Sequence, residues 1–179
     1  MARMLYSATM SADGFIAGVR GDMSWLTSHL GPNPMADLLI DQIGALLIGN
    51  RTFRGDDPNK GTDNEGAFGG AWSGPQFVVT HHPPTAPPPD VTFVTDLDSG
   101  VAAAKSAAGD KYVNILGADI ARQCLEAGVL DEILVFVVPT LLGDGVRIFD
   151  HPGGTNIELV SLIETHTANA SGLWYRVRQ

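Results

Sequence analysis

The run Ala45-Leu46-Leu47-Ile48, closed by Gly49, constrains this chain more than any other stretch. Every position is apolar, so the run has no face to offer water. A strand of that kind has to be buried on both sides, which is the habit of parallel sheets. Glu132–Val138, closed by Pro139, repeats the pattern with a strongly β-branched composition. Gln76-Phe77-Val78-Val79-Thr80 and Tyr112–Leu116 read as further strands, and Val91–Val94 as a shorter one. Helical segments separate them. Asn33 suits an N-cap and Pro34 the first helical position, Met35, Leu38, Leu39 and Ile43 recur at helical spacing, and Gly44 reads as the stop. Residues 97–108 form a second helix, weakened by Gly100 at a cost of about 1 kcal/mol against alanine and closed by Gly109. A third opens at Gly117, runs through Gln123 and Leu125 and closes at Gly128.

Strands alternating with helices predict parallel strands with helices on both faces. Residues 3–10 read as the first strand and 11–32 as irregular. Residues 157–167 and Leu173–Val177 flank the turn Asn169-Ala170-Ser171-Gly172 as an antiparallel hairpin. The expected fold is a mixed, mostly parallel α/β sheet in one domain spanning 1–179. The segment 55–75 carries Gly55, Gly61, Gly66, Gly69, Gly70 and Gly74 and reads as a long loop, of the kind that is functional or disordered in compact domains.

Charge and cysteine content narrow the function classes. With 11 basic and 20 acidic residues the net charge is −9, which excludes the basic footprint of a nucleic-acid binder. An anionic ligand must be held locally, against that field. The single cysteine, Cys124, rules out a disulfide framework and fits a reducing compartment. No apolar run approaches ~18 residues and no basic segment precedes an apolar one, so a soluble cytoplasmic chain is expected, with no membrane partner. No metal site is expected either: His81-His82 has no second ligand cluster, and Asp56-Asp57 reads as a solvated turn. Trp25, Trp72 and Trp174 read as packing residues.

In parallel α/β sheets ligands bind beyond the carboxyl ends of the strands. There the sequence places Gly49-Asn50-Arg51-Thr52 with Arg54, then Thr80 with His81 and His82, then Gly117-Ala118-Asp119. The first group offers flexible backbone, a hydroxyl and guanidiniums, which suit phosphate, or simply a strand end followed by solvated arginines. The strand–Gly117–helix junction presents free amides to an anion; Asp119 there fits the helix dipole equally well. His81-His82 reads as a ligand contact or as plain loop. "YSATMSADGFIAG" at 6–18 raises a separate question, because Asp13-Gly14 interrupts two apolar segments. It is either a hairpin turn or a loop that carries an acid to a ligand. As a turn residue, Asp13 is expected to matter more for turnover than for folding. The chain lacks a Gly-x-Gly-x-x-Gly, a Walker loop, a Gly-x-Ser-x-Gly elbow and the zinc-deaminase signature.

The ordered set Ser11-Ala12-Asp13-Gly14, Leu47-Ile48-Gly49-Asn50-Arg51-Thr52-Phe53, the strand into Gly117 and "AGVLDEILVFVVPTLLGDGVRIF" at 127–149 resembles the dihydrofolate-reductase-like family. Within it, the chain looks most like the C-terminal reductase domain of bacterial riboflavin-biosynthesis deaminase-reductases, as a stand-alone member. The resemblance implies a dihydrofolate-reductase-like fold, bound NADPH, reduction of a small heterocyclic or carbonyl substrate, and a homodimer. It places the cofactor phosphates at Gly49-Asn50-Arg51-Thr52 and Gly117-Ala118. It places Asp13 in a mobile loop beside the nicotinamide and substrate, as candidate catalytic acid. Three positions depart from the family pattern. Asn50 stands where a first arginine is usual, Ala118 replaces a second glycine, and Leu116 replaces a glutamate common in the riboflavin-pathway enzymes. A nucleotide-binding module of this fold without turnover is the alternative reading.

Overall fold

The computed structural model describes every residue except Thr155 and Gln179. Its frame is an eight-stranded sheet made of β1 (Met4–Ser11), β3 (Ile43–Gly49), β4 (Gln76–Val79), β5 (Val91–Val94), β6 (Tyr112–Leu116), β7 (Glu132–Val138), β9 (Leu159–His166) and β10 (Ser171–Val177). The order across the sheet is β5-β4-β3-β6-β1-β7-β10-β9. The first six are mutually parallel, β10 runs antiparallel to β7, and β9 antiparallel to β10. β2 (Phe15–Ala17) and β8 (Val146–Arg147) pair separately as a short antiparallel ribbon. This is the expected mixed α/β architecture with a terminal hairpin.

Because the parallel strands are apolar throughout, alternation feeds two cores. Met4, Tyr6, Leu47, Val113, Ile115 and Val135 face one side, against α3 (Leu97–Ala108) and α4 (Ala118–Glu126). Leu5, Leu46, Ile48, Val78 and Leu134 face the other, against Met35 and Leu39 of α1 (Pro34–Ile40). Asn33 caps α1 by accepting from the Ala36 amide, and Asp96 caps α3 by accepting from the Ser99 amide.

Some boundaries differ from expectation: Ser171 and Gly172, read as turn, open β10, and Phe15–Ala17, read as irregular, form β2. Ile43 and Gly44 do not belong to α1: the helix ends at Ile40, and both residues belong to β3, where Ile43 pairs with Tyr112. A Cβ on Gly44 would come within 2.6 Å of the Ala108 carbonyl oxygen. The glycine is there to let β3 pass under the end of α3, and not to stop a helix. The segment 55–75 is also less free than its glycines suggest. Phe68 and Trp72 pack against the α1-side core, and the Trp72 indole donates to the Ile43 carbonyl at 3.2 Å. Trp174 is likewise a packing residue, buried and bonded to Glu132. Cys124 lies in the core, where burial pushes its thiol up to about 12.

Candidate functional site

The carboxyl ends of β1, β3, β4, β6 and β7 come out on one edge of the sheet, and a cleft of about 2410 Å³ opens there. A pocket for a single small ligand runs to roughly 300–1,000 Å³, so this one has room for two molecules side by side. Gly49, Asn50, Arg51, Thr52, Arg54, Thr80, His81, His82, Gly117, Ala118 and Asp119 all line it.

The floor is built by glycines that let backbones touch. Gly117 runs at φ +108°, and a Cβ on it would meet the Thr52 hydroxyl at 2.4 Å. A Cβ on Gly49 would meet Ile120 of α4 at 3.0 Å. The start of α2 (Asn50–Phe53) is therefore pressed against the start of α4. No side chain caps α4 at Gly117, so its first amides are available to an anion.

Around this floor the charges are arranged unequally. Arg54 is engaged: its Nε donates to Asn50 Oδ1 at 3.0 Å and its guanidinium to the His82 carbonyl at 3.3 Å. Asn50 thus orients the neighbouring arginine. The Thr80 hydroxyl, buried, accepts from the His82 amide at 3.1 Å and shapes the following turn. Arg51, by contrast, is exposed and its guanidinium has no hydrogen bond or ion pair among the described residues. Asp119 is held by Arg122 and Gln123, each at 2.8 Å. The Arg122 hydrogen bond is the main reason its carboxyl lies below the ordinary range, with Arg51 adding a smaller pull.

Asp13 is placed otherwise than expected. It does not line the cleft. Its carboxylate accepts from Ser11 Oγ at 2.6 Å, from the Leu142 amide at 3.1 Å and from the Gly143 amide at 2.7 Å. Those bonds, the Ser11 hydroxyl foremost, bring its pKa down to about 2. A group so acidic carries no proton near neutral pH. The turn is also tied to the 140–148 segment by backbone, since the Ala12 amide donates to Thr140 O at 2.8 Å and the Ile148 amide to Gly14 O at 3.0 Å. The β1–β2 turn is a clasp on the 140–148 segment.

The far wall holds residues the sequence did not single out. The segment 18–33 winds through two 3-10 turns, Val19–Gly21 and Ser24–His29. It brings Arg20 and His29 to the cleft. His29 Nε2 lies 2.7 Å from Thr140 Oγ1, beyond the end of β7. The Met23 amide donates to Asp56 at 3.3 Å, and Asp57 accepts from the Asn59 and Gly66 amides. Asp56 and Asp57 therefore act as loop acceptors. Among the described residues no group of three His, Cys, Asp or Glu side chains is placed to hold a metal.

Residues 3–170 match the model of the RibD C-terminal domain. The chain belongs to that family. Solved structures agree in fold. A protein from Shewanella sp. PV-4 ascribed to riboflavin biosynthesis is 22% identical, with full coverage of both chains and a TM-score of 0.77. A Thermotoga maritima diaminohydroxyphosphoribosylaminopyrimidine deaminase/5-amino-6-(5-phosphoribosylamino)uracil reductase is 17% identical over 99% of this chain and 57% of its own, with a TM-score of 0.67. A pyrimidine reductase-like protein from Corynebacterium diphtheriae is 16% identical over 99% of this chain and 92% of its own, with a TM-score of 0.66. No curated protein matches the chain. The family is that of the riboflavin-pathway reductase domain, and the dihydrofolate-reductase-like architecture goes with it.

Proposed function

We propose that the chain is an NADPH-dependent reductase of a small heterocyclic or carbonyl substrate. The observation that supports this best is the convergence of Gly49, Arg51, Thr52 and Gly117 at one cleft, with the Arg51 guanidinium unpaired among the described residues in a chain of net charge −9. The donor set fits a dinucleotide phosphate. Backbone approaches closely where Gly117 has no Cβ, α4 presents uncapped amides, and Arg51 has its full fork of donors to give. In this reading Gly49, Thr52, Gly117 and Ala118 hold the phosphates and Arg51 neutralises them. Arg54, ordered by Asn50, and His81 and His82 border the same site. Bound there, NADPH would supply two electrons as hydride; the chain's part is to orient the reacting partners and exclude water.

Leu116, the last residue of β6, lines the cleft next to Gly117. An aliphatic side chain cannot accept a hydrogen bond or pass a proton. The phosphoribosylaminouracil substrate named for relatives is therefore expected to be turned over poorly here, and a different small heterocycle or carbonyl compound better. Fluorescence titration with NADPH comes first, followed by NADPH oxidation against a panel that includes that intermediate. Tight binding with no turnover of any panel member would leave a nucleotide-binding module of the same fold. Absence of binding would end both readings.

A further inference from the structure

The reductase reading leaves one chemical need unmet. Reducing a C=N or C=O bond takes a proton as well as a hydride, and Asp13 cannot give one. A carboxylate in its ordinary range carries no proton at neutral pH. Cleft carboxylates such as Asp57 and Asp119 are moreover already committed as acceptors, Asp57 to two amides and Asp119 to Arg122 and Gln123. Imidazole is the side chain that gives and takes a proton near neutral pH. The chain has five histidines, and three of them reach the cleft.

Position separates the three. His81 and His82 follow β4, on the side of Arg54, and are exposed. His29 is half-buried and is tied to Thr140, which follows β7. β4 and β7 are four places apart in the sheet. At about 4.8 Å per strand the two groups stand roughly 19 Å apart. The phosphate cradle at Gly49 and Gly117 lies between them, at the ends of β3 and β6. A dinucleotide held at that cradle, with one end toward Arg54 and His82, has its other end toward β1 and β7.

We propose that His29 is the proton donor of the reaction, with Thr140 as the residue that positions it. The proposal rests on the reductase reading and names an acid for the same site. Nε2 of His29 is held by the Thr140 hydroxyl at 2.7 Å, while Nδ1 has no hydrogen-bond partner among the described residues. One ring nitrogen is therefore fixed and the other is left to meet a substrate. Thr140 is itself fixed, because its carbonyl accepts from the Ala12 amide at 2.8 Å. In the step, the substrate carbon gains a hydride from the reduced nicotinamide and its double bond to nitrogen or oxygen opens. The displaced electron pair takes the proton from Nδ1 of the imidazolium. The substrate is reduced by two electrons, the cofactor is oxidised, and the neutral imidazole regains a proton from solvent.

The test has a binding arm and a turnover arm. In the first, NADP⁺ is titrated into the isotope-labelled chain and the imidazole resonances are followed. His29 is expected to shift at saturation, while His151, bonded to Glu126, and His166, on the terminal hairpin, stay put. Saturable NADP⁺ binding with an unmoved His29 would overturn the proposal and leave the reductase reading intact. No binding at all would remove the reading on which it rests. In the second arm, the panel member that wild type reduces fastest is used. His29→Gln is expected to lower kcat at least ~100-fold, the usual worth of a positioned acid, with the Kd for NADPH unchanged. Thr140→Val should give a smaller loss that Thr140→Ser restores. Unchanged kcat in His29→Gln, or a wild-type chain that binds NADPH and reduces nothing in the panel, would overturn the proposal.

Discussion

At Gly117 the backbone sits at φ +108°, a region that side chains with a Cβ rarely adopt, and the space a Cβ needs is filled by the Thr52 hydroxyl at 2.4 Å. Gly117→Ala should therefore lose stability twice over, by roughly 1–3 kcal/mol for the backbone alone, and weaken NADPH binding. Adding Thr52→Ala should relieve only the steric part, which thermal melts of the two single variants and the double variant would show. Arg51 makes the opposite case, because its guanidinium has no hydrogen bond or ion pair among the described residues and only a minor pull on Asp119. Arg51→Ala should leave melting unchanged and weaken NADPH on the order of tenfold to a hundredfold, the value of one charge-assisted contact. A smaller loss for NADH would place the guanidinium on the 2′-phosphate, and equal losses on the pyrophosphate. Asp13 reads differently in the structure than in the sequence. Asparagine keeps its shape but would present an NH2 group to one of the amides or the hydroxyl that the carboxylate accepts from, so Asp13→Asn should lower the melting temperature. The pH dependence follows from the depressed pKa. The carboxylate favours the folded state above its ordinary pKa near 3.8 and loses that advantage as pH falls toward about 2. A melting series between pH 5 and pH 2 should show an acid-side decline that the asparagine variant shows less steeply.

At the scale of elements, the sheet has a polar bolt at the end away from the cleft. Glu132, 1% exposed at the start of β7, accepts from Arg3 on the chain leading into β1, from Tyr112 of β6 and from the Trp174 indole of β10, at 2.6, 2.9 and 2.8 Å. Glu132→Ala would leave the tyrosine hydroxyl and the indole N–H without their acceptor. It should cost about 1–3 kcal/mol for each buried donor left without an acceptor, since the charged partner Arg3 is half exposed and stays solvated. β7 spans roughly 20 Å from Glu132 to Val138, so NADPH affinity of the folded fraction should be unaffected; melting and titration of the same sample would separate the two effects. Elements were legible where an apolar run met clear punctuation. α3, β6 and β7 keep the limits the sequence suggests, because Gly109, Gly117 and Pro139 end them by local chemistry. The β2–β8 ribbon was not legible: its strands are three and two residues long, too short for a period, and they pair across more than a hundred residues. Ile43-Gly44 was misplaced because helical spacing continued one turn past the true end, and the reason for that glycine lies in α3. The Gly49–Gly117 side of the cleft shares this logic, since Gly49 closes β3 and Thr52 and Gly117 follow strand ends. His29 does not, because its significance comes from Thr140, 111 residues away.

For the whole molecule, the strongly apolar run Ile133–Val138 offers no surface for self-association, because it is occupied on both sides. β7 is paired with β1 on one side and β10 on the other, so Ile133–Val138 belongs to the core. The sheet has two edges, β5 and β9, and β9 is the longer. Among the described residues β9 pairs with β10 alone, and Leu159, Val160, Leu162 and Ile163 are 44, 38, 36 and 47% exposed. A β-bulge at Leu162 interrupts the alternation, so pairing puts Leu159 on one face with Val177 and puts Val160 and Ile163 on the other with Arg176 and Trp174; each face thus carries an exposed aliphatic side chain where a solvent-facing strand keeps polar ones. A long edge of that composition recruits a partner unless charge or proline blunts it, and Glu164 is the one charged residue in β9. The partner proposed is a second copy of this chain, which can cover the edge and its apolar faces symmetrically. β9 lies two places beyond β7, on the side away from β3 and β6, so association there leaves the Arg51 side of the cleft open. Light scattering at micromolar concentration should report a dimer. Leu162→Glu combined with Ile163→Lys should yield a monomer that still binds NADPH through Arg51 and Gly117. A wild-type monomer, or a dimer indifferent to both substitutions, would move the interface elsewhere or remove it.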